Sequence, residues 1–409
     1  MNEPSKKIIF LKHHFYSIIS VDISFKNTLS QITNQYFKVN KQIGSKDRKV
    51  LSELIYTYFR YKFTIDNFPN NYIDKKFEIV FHFSKKVLSK SDTFQYIMQE
   101  WLNYSNNLDI DFNSTNGIFK NITQSFDLIP KLYRNEFLKL DIDTIHTIFS
   151  KSPITIRPAY SNLKNENYLH TLKANNFDFE LIEETNSLNI VTFNSFEQLF
   201  KDNNLPYEVQ DNGSILLSKY IASLDKNSIL DACAGSGGKS LSIKYFNSKP
   251  EIDLYDTNTN RLKEFNNRNN KFSGLKLLIQ LDKSKKYDIV LIDAPCTGSG
   301  TIRRNPDKQY TIDEDIITEY NTLQNQILET YSIYVKKGGI LIYITCSLFE
   351  KENISVINKF LNSNNDFIGD EITSNIITNN SLKITNFAYQ LIPNKYNGDI
   401  FFISQLRKC

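Results

Sequence analysis

Apolar positions along the chain change their period twice, and the changes divide it into three parts. Over residues 1–145 they recur at intervals of three and four. In SKDRKVLSELIYTYFRYKF, Leu51, Leu54, Ile55, Tyr58 and Phe59 fall on one stripe with charges opposite, which predicts an amphipathic helix capped by Ser45. The same period predicts helices at 76–89, 92–102 and 130–140. Over 146–206 the runs shorten. SPITIRPAY reads as a strand ended by Pro158, with strand and helix alternating through 188–193 and 196–200, as in a small α+β unit. From 207 onward a helix, QDNGSILLSKYIASL, leads into short apolar-rich runs at 229–232, 252–255 and 276–280 and unbroken ones at 289–292 and 340–345. Runs this short without alternation are strands buried on both faces, so 207–409 is predicted to be a parallel α/β sheet covered by helices. Later strands at 384–391 and 400–406 would complete it.

Composition narrows the picture. No apolar run approaches the roughly 20 residues needed to span a bilayer, and the first 20 residues lack a small-residue cleavage site, so the chain is expected in the cytoplasm. Four cysteines, Cys233, Cys296, Cys346 and Cys409, stand far apart without CxxC or Cys/His spacing. Neither a zinc site nor a disulfide framework is indicated, and no metal is expected. Residues 1–90 carry 16 Lys/Arg against 7 Asp/Glu, a net of +9 that leaves −5 on the remainder. A basic front end suits contact with a polyanion, although a solvated helical surface has the same composition. His13 and His14 read as surface residues.

The chemistry concentrates at strand ends. SILDACAGSGGKS joins a strand through a glycine turn to a helix, an arrangement that aims backbone N–H groups and a positive helix end at a nucleotide-type cofactor. The turn matches neither GxGxxG nor GxxxxGK[ST]. Asp256 closes the next strand, 25 residues beyond Asp231, where an acid can accept from both ribose hydroxyls. Asp282 follows the third strand and Asp293 ends the fourth, so successive strands close with acids near one edge. Asp293 opens Asp-Ala-Pro-Cys296, with a loop loosened by Gly298 and Gly300. Cys346 ends a further strand. Ser347 and Glu350 fit an S-x-x-E capping box there, which would set the Cys346 sulfur beside a helix N-terminus and favour its thiolate. If the two strands are neighbours, Cys296 and Cys346 face each other.

Together these motifs resemble the RsmB/Sun branch of the RNA cytosine-5 methyltransferases. Residues 231–239 are similar to the family's cofactor loop, Asp293-Ala-Pro-Cys296-Thr-Gly-Ser-Gly to its proline-cysteine motif, and Thr345-Cys346-Ser with Glu352-Asn353 to its nucleophile motif. DRKVLSELIYTYFRY resembles part of a NusB-like helical domain, PITIR the start of a small linking domain, and Asp399 with Phe401-Phe402 the C-terminal strand. The resemblance implies a Rossmann-like S-adenosylmethionine-dependent methyltransferase domain at 207–409. An all-α NusB-like RNA-binding domain at 1–145 and an α+β linking domain at 146–206 would precede it. It differs from the family at Gly235-Ser236, where Ala-Pro is usual, at Arg157-Pro-Ala, and at Ile354.

By this resemblance the cofactor is S-adenosylmethionine, held by Cys233, Ala234, Gly235, Ser236, Gly237, Gly238, Lys239, Asp256, Asp282 and Asp293. Cys346 is expected to add to carbon 6 of cytosine, Asp293 to hold the N3 and amino edge, and Cys296 to assist release. The substrate would be RNA, most directly small-subunit ribosomal RNA or an assembly intermediate, met by a monomer. Transfer RNA as substrate and a catalytically dead assembly factor are the competing readings. Arg303 and Arg304 would lie on the RNA backbone, or pair with Asp307 or Asp313. Cys233 and Cys409 are expected to be inert buried thiols.

Overall fold

The computed structural model describes residues 5–66, 75–88, 130–161, 165–190, 196–268 and 272–409. The chain divides into two compact units, the first of residues 1–151, 192–194 and 302–313, the second of 152–191, 195–301 and 314–409. Among the described residues no helix is long and apolar enough to cross a membrane.

The first unit is helical, with helices Lys6–Ile19, Leu29–Val39, Ser45–Asp66, Lys76–Leu88, Lys131–Phe137 and Ile142–Ile148. The stripe Leu51, Leu54, Ile55, Tyr58 and Phe59 enters its core with Leu11, Phe15 and Phe77. Ser45 is the first residue of its helix and not its cap, since the Arg48 N–H already reaches the Gly44 carbonyl at 3.0 Å. A capping box forms instead at Thr28 and Gln31, ahead of the second helix. His14 is buried and meets the Tyr36 hydroxyl at 2.7 Å, contrary to a surface placement. The helix expected at 92–102 lies outside the described residues.

Residues 302–313 pack in this helical unit. Arg60 donates to the Arg303 carbonyl at 3.1 Å, the Leu29 N–H to Asp307 at 3.1 Å, Tyr133 to the Lys308 carbonyl at 2.8 Å, and the Phe63 N–H to the Tyr310 hydroxyl at 3.2 Å. Arg303 is 4% exposed and donates to the Ser150 hydroxyl and the Lys151 carbonyl. A guanidinium so enclosed cannot line an RNA backbone, which corrects the expectation for Arg303; Arg304 is exposed.

The second unit holds two sheets. The smaller is antiparallel, made of β1 (Ile154–Pro158), β2 (Phe179–Ile182), β3 (Ser187–Ile190) and β4 (Tyr207–Val209) in the order β2-β3-β1-β4. Arg157, in β1, is fully buried. It donates to Gln210 and to the Pro158 carbonyl, and its guanidinium lies 5.1 Å from the Tyr245 ring centroid, so it packs this sheet against the helix Gly238–Phe246.

The larger sheet has nine strands, β5 (Ser228–Asp231), β6 (Glu251–Leu254), β7 (Leu275–Leu277), β8 (Tyr287–Asp293), β9 (Val335–Thr345), β10 (Phe367–Gly369), β11 (Ser381–Thr385), β12 (Ala388–Leu391) and β13 (Phe401–Lys408). Its order is β11-β12-β13-β9-β8-β5-β6-β7, with β10 on β13. Strands β9, β8, β5, β6 and β7 run parallel, and β13 joins β9 antiparallel. The unbroken apolar runs follow from burial on both faces. Ile289 and Leu291 enter one core while Val290 and Ile292 enter the other, and Ile342 and Leu341 divide likewise. This is a Rossmann-like sheet following a helical region. The run expected as one strand at 384–391 is a hairpin, because Asn386-Phe387 turns between β11 and β12. The third parallel strand stops at Leu277.

Candidate active site

Parallel pairing sets the carboxyl ends of β5, β6, β8 and β9 along one edge. The strand order reverses between β5 and β8, the position where open α/β sheets leave a crevice for ligands. The loop after β5 lies there. Ala234 is tied to the Tyr255 carbonyl at 3.0 Å, and Gly235 and Gly237 have φ of +54° and +76°. The Gly235 conformation is one an alanine tolerates poorly, so glycine at this departure from the family pattern relieves strain. At Gly237 an added Cβ would stand 2.3 Å from the Phe265 ring, whereas at Gly238 it would meet open space. The helix Gly238–Phe246 begins at this turn, with Ser236 half-buried beside it.

Asp256 lies two residues past β6 and accepts from the Gly235 N–H at 2.8 Å and the Asn258 N–H at 2.7 Å, so its carboxylate is fixed against the glycine turn. Open space over Gly238, a helix N-terminus and an anchored carboxylate fit a nucleoside-type cofactor bearing ribose hydroxyls. Asp282 stands apart. It is exposed, five residues past β7, with Oδ1 accepting from the Ser284 N–H and hydroxyl, and it borders a shallow depression of about 470 Å³ lined by Gln280–Lys283. Cys233 is half-buried, its thiol pushed up by burial and by the Asp231 charge, in keeping with an inert role. Cys409 is exposed, which corrects its placement in the interior: β13 ends at Lys408 and leaves it outside.

Asp231, 1% exposed, accepts from the Ser240 hydroxyl at 2.6 Å. Burial pushes its carboxyl up to about 7, against the ordinary 3.8, with Ser240 opposing and Asp293 adding to the rise. The folded state therefore holds a proton that the unfolded chain releases above about pH 4. Stability falls as pH rises from there to about 7, by ~1.4 kcal/mol per pH unit at most, a few kcal/mol in all. Asp231→Asn should remove this slope. Thermal melts at pH 4.5 and pH 8 should show the variant gaining on the parent at the higher pH, and an equal difference at both would contradict it.

Asp293 ends β8, 35% exposed at its side chain, in an ion pair with Lys239 at 2.5 Å. Lys239 in turn lies 5.3 Å from the Phe401 ring centroid, so cation and carboxylate are held between a helix and two strands, β8 and β13. Neighbouring β8 and β9 bring Cys296 and Cys346 together, their sulfurs 3.4 Å apart and both half-buried. The contact with Cys346 and then burial push the Cys296 thiol well up, so Cys296 keeps its proton, and either sulfur can donate in the contact between them. Gly300 closes the loop. Its N–H donates to the Cys346 carbonyl at 2.9 Å, and an added Cβ would lie 2.4 Å from the Ile400 carbonyl oxygen.

The expected capping box at Ser347 and Glu350 does not form. A three-residue turn, Glu350–Glu352, intervenes, the helix starts only at Ile354, and the Ser347 hydroxyl donates to Glu352. Cys346 is thus not at a helix N-terminus, and a helix dipole does not act on its sulfur. Glu352 is the residue this reading missed. Its only signal in sequence is its place at the tail of the nucleophile motif, and Gln324, which also bonds it, gives none.

Residues 219–407 match the family model described as 16S rRNA methyltransferase RsmB/F. A probable ribosomal RNA small subunit methyltransferase B of Bacillus subtilis is 31% identical over 215 residues, 49% of this chain and 47% of that protein. The ribosomal RNA small subunit methyltransferase B of Pasteurella multocida is 27% identical over 271 residues, 63% and 59% of the two chains. The chain thus spans about half the length of the curated relatives it matches. Among solved structures, that of PH0851 covers 100% of both chains at TM-score 0.70 and 20% identity. NSun6 from Pyrococcus horikoshii, solved with SFG, covers 68% of this chain and 97% of its own at TM-score 0.57 and 17% identity. The last two show likeness of fold. Residues 219–407 thus carry the likeness to RsmB/F-type methyltransferases, and the paired cysteine motifs at one sheet edge lie within that matched stretch.

Proposed function

We propose that this protein transfers a methyl group from S-adenosylmethionine to carbon 5 of a cytosine in RNA, with small-subunit ribosomal RNA as the substrate. The observation that carries this is the pair of thiols 3.4 Å apart at the edge where Asp293 and the glycine loop meet. Bound S-adenosylmethionine supplies an electrophilic methyl group. Gly235, Ser236, Gly237 and Gly238 leave room for it, with Cys233 and Ala234 setting the loop. Asp256 would accept from the ribose hydroxyls, and Asp282 would be a further acid toward the cofactor.

Carbon 5 of cytosine is too weak a nucleophile to take the methyl group unaided. Cys346 adds through sulfur to carbon 6, making carbon 5 enamine-like. Asp293, held by Lys239, stabilises the base at its N3 and amino edge. After transfer the carbon 5 proton passes to solvent and the carbon 6–sulfur bond breaks, the departing Cys346 sulfur taking its proton from Cys296, which is reprotonated from solvent. The target base leaves its stack to reach this edge, which favours a cytosine in a loop or single strand. In this reading residues 1–145 are a NusB-like RNA-binding domain, 146–206 a linking domain and 207–409 the methyltransferase, acting as a cytoplasmic monomer. Names of the relatives and the net charge of +9 over residues 1–90 favour ribosomal RNA.

Bisulfite sequencing of ribosomal and transfer RNA from cells with and without the gene tests it. One ribosomal cytosine should lose its methylation in the deletion strain. A change confined to transfer RNA would move the substrate, and no change in either would remove the activity.

A further inference from the structure

A single buried carboxylate ties together the two loops that carry the thiols. Glu352 is fully buried, and its Oε1 accepts from the Thr297 N–H at 2.9 Å and from Gln324 at 3.0 Å. Its Oε2 accepts from the Thr297 hydroxyl at 2.6 Å and the Ser347 hydroxyl at 2.5 Å. Thr297 directly follows Cys296, and Ser347 directly follows Cys346. The Glu352 carbonyl accepts from Tyr343 of β9 at 2.8 Å, and Gln324 also donates to the Pro295 carbonyl, so the carboxylate is itself fixed from a strand and a helix. A carboxylate at full burial is costly unless its oxygens are met by donors. Four donors meet it here, and two belong to residue 297 and one to residue 347.

We infer that Glu352 is a positioning residue that sets the distance between the two sulfurs and keeps their roles apart, Cys296 as the protonated partner and Cys346 as the nucleophile. This rests on the proposed cysteine chemistry. The geometric part follows from the bond set: neither loop can shift without breaking a bond to the same carboxylate. The electrostatic part follows from charge. Cys296 faces Cys346, Glu352, Tyr320 and Tyr343, and none of these is cationic. The contact with Cys346 and burial contribute most to holding its proton, and the Glu352 charge adds to them. Next to a fixed negative charge, Cys296 loses its proton late, which leaves it a donor toward the neighbouring sulfur.

The test compares Glu352→Gln with the parent, folding being verified by circular dichroism. Turnover should fall by roughly 10- to 100-fold, with KM for S-adenosylmethionine and for RNA little changed. In a Cys346→Ser background, iodoacetamide alkylation of Cys296, followed by peptide mass mapping across pH, should show its midpoint lowered by about one pH unit on Glu352→Gln. An unmoved midpoint overturns the inference whatever the turnover. If Glu352→Gln does not fold, Thr297→Val and Ser347→Ala each keep the charge and remove one bond. Both should then lower kcat severalfold without moving the midpoint, and unchanged kcat in both overturns it. Alkylation needs no methyl transfer, so absence of methylation in the parent counts against the proposed function and leaves this test standing.

Discussion

Cys346→Ala is expected to abolish methyl transfer, lowering turnover by on the order of 10³-fold or more. The residual rate should be set by binding alone, since without sulfur addition carbon 5 has no enamine character to offer. The cofactor loop is not disturbed: Cys346 closes β9, whereas the glycine turn and Asp256 follow β5 and β6. Calorimetric titration with S-adenosylmethionine should therefore give an affinity close to that of the parent, while incorporation of labelled methyl into RNA is lost. Near-parental incorporation would remove Cys346 from the nucleophile's role. The thiol that faces it, Cys296, has its proton held by its neighbour and by burial, and that of Cys233 is held by burial.

The sheet and its acids were legible because the pattern that reports them is local. Runs such as 289–292 and 340–345 have no polar interruption, and a strand buried on both faces is the structure that tolerates this. Pairing of β8 with β9 then carries Cys296 and Cys346 to one edge, as their positions at the two strand ends imply. What was not legible depends on partners distant in sequence. The Ser347–Glu350 box satisfies a local rule, but Ser347 is drawn to Glu352, which also bonds Thr297, 55 residues earlier. Arg303 has the composition of a phosphate contact, yet Ser150 and Lys151 enclose it. In each case a carboxylate or guanidinium anchored by a long-range hydrogen bond, Thr297 to Glu352 or Arg303 to Ser150, decided the outcome, and no periodicity encodes such a bond.

The second large effect is expected at Cys296. In the proposed reaction, addition of Cys346 to the base does not require Cys296, but completion does. Once the methyl group is in place, solvent takes the carbon 5 proton as the carbon 6–sulfur bond breaks, and the protonated Cys296, its sulfur 3.4 Å from the sulfur that must leave, gives that sulfur its proton. Cys296→Ala should therefore form the adduct and fail to release it. Incubated with RNA and S-adenosylmethionine, the variant should run as a covalent protein–RNA species on denaturing gels, with multiple turnover reduced about 10²-fold or more. The Cys296→Ala, Cys346→Ala double variant should show no such species, because the bond that traps the RNA is made by Cys346. Free RNA with full turnover from Cys296→Ala would exclude a release role, and an adduct surviving in the double variant would place the covalent bond on a residue other than Cys346.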